Sequence, residues 1–208
     1  MPPLRPIRSA TAATATQGEG TDMSHLFCLV SDAPLPVLPN PHLKLLSMNE
    51  ALSQGLDVPK TMLEDPELDP DEPETFLWSD ICIEINPETG EVTPPPEDCW
   101  DIWPIECADH LQTELPYLAE VEWPECTPGR AAVLADYIRS QLDTAETVEL
   151  WNFWDGSDVE LTRVHREAIP FAELTPEKIA ALCEKDAVHP IMVGPVEEWQ
   201  QYCLCISR

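Results

Sequence analysis

Residues 147–154 read TVELWNFW, and this octapeptide decides the fold. Val148, Leu150, Asn152 and Trp154 fall on one face of an extended chain. Trp151 beside Leu150 puts bulk on the other face as well, so the strand is expected at the centre of a sheet, covered on both sides. Upstream, Thr127 is placed to cap a helix whose first residue is Pro128. Its apolar positions Ala131, Val133, Leu134, Ile138 and Leu142 recur mostly at three- and four-residue spacings. Before that helix, Tyr117 to Trp123 mixes apolar Leu118, Val121 and Trp123 with Glu120 and Glu122, which suits a strand with one wet face.

Downstream, Asp155-Gly156-Ser157-Asp158 is a turn signal, and Val159 to Ile169 is expected to return as the partner of 147–154. Thr175-Pro176 repeats the helix-start chemistry ahead of Ile179, Ala180 and Leu182, and YCLCIS closes the chain as an apolar strand. The order strand, helix, strand, strand, helix, strand predicts an α+β single domain over 23–208. A mainly antiparallel or mixed sheet is expected to carry two to three helices on one side. The regular part spans 117–208.

The part before it is rich in loops. His25–Val30 reads as a strand, and four prolines make 33–41 a loop. Ser47 followed by Glu50 is a capping box, predicting a short helix from Met48 to Gln54 that ends at Gly55. Residues 57–74 hold four prolines among eight acidic side chains and are expected to be extended and exposed. Phe76–Ile85 reads as a strand, Asn86–Gly90 as a turn and Glu91–Thr93 as a short return strand. Cys99–Leu111 has no clear period. Met1–Asp22, with neither an apolar core nor a secretory h-region, reads as a disordered N-terminal extension.

The chain of 208 residues carries 39 acidic and 11 basic side chains, a net charge of −28. Binding nucleic acid directly through a basic surface, or docking on anionic lipid, is excluded by that balance. No run approaches the roughly 18 consecutive apolar residues of a spanning helix. The charge is concentrated: 61–129 contains twenty Asp and Glu and no Lys or Arg, leaving 19 acidic and 11 basic groups elsewhere. A surface made only for solubility mixes both signs, whereas a single-signed span projects a field toward a cationic partner. Four tryptophans, Trp78, Trp100, Trp103 and Trp123, lie inside this acidic loop-rich part (57–129), and aromatic anchors among charges are interface chemistry. The partner-binding candidates are Asp98, Trp100, Asp101, Trp103, Glu106, Asp109, Glu120, Glu122 and Trp123.

No reactive constellation stands out. Eight cysteines are irregularly spaced and are expected to be reduced and mostly buried. His25-x-x-Cys28, Cys203-x-Cys205 and Cys183 with His189 lack paired zinc spacing, and Asp65, Asp69 and Asp71 lack the order of a calcium loop. Neither a nucleophile elbow nor a papain-like Cys context occurs. No catalytic residue, metal or cofactor is assigned.

The segments NPHLKLLSMNEAL (40–52), FLWSDI (76–81), VELWNFWDGS (148–157), IPFAELTPEKIAAL (169–182) and YCLCISR (202–208) give the chain a texture that resembles small cytoplasmic immunity proteins of bacterial polymorphic toxin systems. The resemblance implies an acidic α+β protein of the cytoplasm that binds one cognate toxin or effector and blocks its active site. It carries over no individual residue. The expected function is a non-enzymatic inhibitor of a basic protein. The alternatives are a phage-type DNA mimic acting on a nucleic-acid-binding defence complex, and an enzyme with an unrecognised carboxylate site.

Overall fold

The computed structural model describes residues 25–81, 93–106, 111–154, 162–185 and 199–208. The expected extension 1–22, the turns at 86–90 and 155–158, and Asp109 lie outside them, as does the return strand at 91–93 apart from Thr93. The architecture is α+β. It divides into a larger unit, residues 1–38 with 102–208, and a smaller one, Pro39–Asp101.

In the larger unit, β1 (His25–Ser31), β4 (Asp101–Ile105), β5 (Tyr117–Glu122), β6 (Thr147–Trp154), β7 (Thr162–Pro170) and β8 (Trp199–Ser207) form a mixed sheet ordered β4-β5-β1-β6-β8-β7. The first residue of β4, Asp101, belongs to the smaller unit. β6 is the central strand its sequence predicts, antiparallel to β1 on one side and to β8 on the other. All six residues from Val148 to Phe153 are buried. Register aligns Leu29, Leu150 and Leu204 across one face, and Cys28, Trp151 and Cys203 across the other.

The second face carries a core of Cys28, Val30, Leu111, Trp151, Phe153 and Cys203. Buried Glu149 is satisfied there. It accepts from Trp151 Nε1 at 2.9 Å and Thr113 Oγ1 at 2.8 Å, and pairs with Arg166 at 2.6 Å. The Arg166 guanidinium also lies over the Trp151 ring at 4.7 Å, so one cation neutralises the carboxylate and covers the indole.

The expected hairpin between 147–154 and the following strand does not form: β8 lies between β6 and β7, parallel to β7. The apolar content explains the order. Cys203, Leu204 and Ile206 are buried and need cover on both faces, whereas β7 exposes Arg163, Arg166, Glu167 and Ala168 and suits an edge. Parallel neighbours need a crossover, and the chain between β7 and β8 includes a 3-10 turn (Phe171–Glu173) and a helix, α4 (Pro176–Cys183).

Helix α3 (Pro128–Gln141) begins as expected, with Thr127 Oγ1 accepting from the Arg130 amide at 3.2 Å. Its inward stripe is Ala131, Leu134, Ala135 and Ile138, continued by Leu142. Val133, placed on that stripe by sequence, is 51 % exposed. Two residues past Ala131 is about 200° around the helix, on the far side.

The smaller unit contains β2 (Leu43–Leu46) paired antiparallel with β3 (Phe76–Ser79), and helices α1 (Met48–Ser53) and α2 (Lys60–Leu63). The capping box at Ser47 and Glu50 is present in both directions, and Gly55 takes a positive φ of 75° just beyond the helix. Met48, Ala51, Val58 and Phe76 make its core. Residues 57–74 are therefore not simply extended. Val58 is buried, Lys60–Leu63 is helical, and Asn49 holds the far end by its amide to Pro70 O at 3.0 Å and by its side chain to Asp71 at 2.7 Å. The acidic side chains of that segment are exposed, as expected.

One buried side chain ties the central strand to the helical face. Asn152, 0 % exposed, donates through Nδ2 to Leu182 O at 2.9 Å and Lys185 O at 3.1 Å. These carbonyls lie at the end of α4, where helix geometry leaves acceptors without partners. Asn152→Ala removes both donors and is expected to lower unfolding free energy by about 3 kcal/mol in urea denaturation.

Candidate functional site

The nine candidate residues divide between the two units. In the smaller unit Asp98 is exposed, while Trp100 and Asp101 are 3 % and 4 % exposed. This corrects the sequence reading: Trp100 and Asp101 belong to the interior, and a side chain that keeps so little surface cannot meet a partner. Asp98 instead flanks a histidine. His42 lies 2.8 Å from Asp80 through Nδ1 and 2.8 Å from Asp98 through Nε2. Hydrogen bonds to Asp98 and then Asp80 raise the His42 pKa above its ordinary value. Bonding of this kind stabilises the fold below the unfolded-state pKa of about 6.5 and is lost as pH rises through the raised folded value. NMR titration is expected to place His42 above that reference, and Asp98→Asn to bring it down.

In the larger unit Trp103 is 41 % exposed on β4, an edge of the sheet. Strand alternation puts Trp103 on the same face as Ile105, which packs on the core around Trp151. Glu120 pairs in register with Cys28, a member of that same core, so Glu120 and Glu122 share the face. Trp103, Glu120 and Glu122 are thus brought to one face of two adjacent strands. Glu106 is exposed just past β4. Pro104 removes an amide from the outer edge of β4, and the Leu38–Ile102 bridge covers the backbone beside it, which protects the edge against strand addition.

Trp123, a partner-binding candidate alongside Glu120 and Glu122 and one residue out of phase with Glu122, faces the other way. Its ring meets Phe27 edge-on at 5.5 Å, and Phe27 is one residue out of phase with Cys28. An open cleft of about 410 Å³ is lined by His25, Phe27, Trp123, Cys126 and Cys183, and also by Glu120 and Glu122 of β5. Asn152 orders its floor. The Asn152 amide nitrogen is committed to Leu182 and Lys185, so Oδ1 accepts from His25 Nε2 at 2.6 Å and fixes that proton on Nε2. The His25 ring lies between Phe27 and Trp154, at centroid distances of 5.0 and 5.2 Å.

The cleft holds two thiols in mutual contact. The hydrogen bond between Cys126 and Cys183 lowers the pKa of Cys126 and raises that of Cys183, as expected when one sulfur accepts and the other donates. The positive charge of Arg130 further favours the Cys126 thiolate. Arg130 is buried and reaches back to Glu125 O at 3.0 Å, clamping the loop that carries Cys126. Sequence reasoning missed His25, Phe27, Glu125 and this pair as a site. The thiols are 57 positions apart without a motif, and only the place of Cys126 just ahead of a capped helix was a local signal. Cys28, Cys99 and Cys203 are buried thiols, and burial raises the pKa of Cys203. Among the described residues, no three His, Cys, Asp or Glu side chains gather as a metal site, and no helix is long and apolar enough to cross a membrane.

Comparison with protein families, characterised proteins and solved structures finds no match for this chain.

Proposed function

We propose that this chain is a non-enzymatic inhibitor that captures a basic protein, most simply a cytoplasmic immunity protein that covers the active site of a cognate toxin. The observation that carries the reading is the half-exposed Trp103 on edge strand β4, on the same face as Glu120 and Glu122 of the neighbouring strand. An indole held at a sheet edge supplies a rigid apolar anchor, and the carboxylates beside it favour a cationic surface. The surrounding span 61–129 contains no lysine or arginine, so no cation of that segment competes for those carboxylates.

Affinity purification from the native host, with partners identified by mass spectrometry, checks the proposal. A basic protein is expected with the wild-type chain, lost from Trp103→Ala and from a Glu120→Gln/Glu122→Gln pair that still fold. Recovery of no basic protein, or equal retention by the variants, contradicts it.

A further inference from the structure

We propose that Cys126 and Cys183 form a reversible dithiol–disulfide site, whose reaction partner is a small disulfide of the oxidised-glutathione class. The pair shares its cleft with Glu120 and Glu122, but the thiol chemistry does not depend on what those carboxylates bind.

Three observations place the site. Both thiols are half-buried and line the same open cleft, so a small reagent reaches them, whereas Cys28, Cys99 and Cys203 are sealed in the interior. Each thiol is the other's side-chain hydrogen-bond partner, and helices α3 and α4, which carry the flanking backbone, pack on each other. Each side is also fixed from behind. Arg130 and the Thr127 cap hold the loop of Cys126, and Asn152 holds the carbonyls on either side of Cys183. Both thiols are therefore carried on backbone that is already held in place, and closure requires Cα and Cβ separations within disulfide range.

The roles follow from the surroundings. Cys126 accepts the hydrogen bond of its neighbour, stands beside the Arg130 cation and precedes the positive end of a fourteen-residue helix, so it is the attacking thiolate. Its sulfur bonds to one sulfur of oxidised glutathione, the S–S bond breaks, and one glutathione thiolate leaves. Cys183 then gives up its proton to solvent and attacks the Cys126 sulfur, and the second glutathione thiolate leaves. Two protein thiols are oxidised to one disulfide, and one glutathione disulfide is reduced to two thiols. Excess reduced glutathione or dithiothreitol runs the same steps backwards.

Peptide mapping tests this on the full chain. Residues 61–129 offer trypsin no cleavage site, but cleavage after glutamate releases Cys126 in 126–146 and Cys183 in 178–184. After incubation of the folded protein with oxidised glutathione, these peptides are expected joined, two hydrogens lighter than their sum, with two thiols lost to maleimide and restored by dithiothreitol. Cys183→Ser is expected to stop at one glutathione on Cys126, and Cys126→Ser to leave Cys183 unmodified. Glutathione that persists on Cys126 in the wild type, linkage through other cysteines, or full maleimide reactivity of both thiols after oxidation overturns the proposal. Circular dichroism of each variant separates loss of reaction from loss of fold.

Discussion

The three hydrogen bonds of the Asn152 amide hold together parts of the larger unit that the sequence leaves far apart. On one side they fix His25 of β1, and on the other the carbonyls of Leu182 and Lys185 at the end of α4. An asparagine in the middle of a fully buried strand is costly unless every polar atom is matched, and here both its atoms are. The match sets where α4 ends against the sheet, and thereby where Cys183 stands. It also sets the tautomer of His25 at the cleft floor. On the reverse face of the same strand Glu149 imposes a second constraint, answered by Trp151, Thr113 and Arg166. β6 is thus central both by apolar bulk and by two polar contracts, one on each side.

The excess of negative charge is distributed in keeping with that frame. The exposed acids of 57–74 decorate a small unit whose own core is made by Met48, Ala51, Val58 and Phe76. Like charges on its loops are tolerated because those side chains remain in water, and His42 lies within hydrogen-bond distance of both Asp80 and Asp98. In the larger unit Glu120 and Glu122 stand on β5, next to edge strand β4, where one tryptophan is left partly exposed. Trp103 differs from buried Trp100 and Trp151 in this respect, and it is the indole of the acidic segment that both faces solvent and has carboxylates on the neighbouring strand.

Much of the frame is legible in the sequence where one local rule is decisive. The Ser47 box, the Thr127-Pro128 and Thr175-Pro176 helix starts, and the two-faced strand at 147–154 all form as their chemistry dictates. Legibility ends where partners are non-local. A D-G turn signals a hairpin, yet the more apolar 199–207 takes the place beside β6 and leaves β7 outside, a competition between strands that no local window contains. β2 escapes notice because its four residues pair with β3, thirty or more positions away. For the site, alternation correctly groups Glu120 with Glu122, but it also shows that Trp123 points to the opposite face. Trp100 and Asp101 look like surface chemistry from composition and turn out to be interior.

The proposed meeting of the Trp103 edge with a cationic surface relies on electrostatic steering. Its most direct test is the association rate of the chain with its purified basic partner, followed by stopped-flow fluorescence as ionic strength is raised. Steering predicts a rate that falls steeply with salt, by about tenfold or more between low and physiological ionic strength, and a shallower slope for Glu120→Gln/Glu122→Gln. A rate indifferent to salt, or a slope unchanged in that variant, contradicts it.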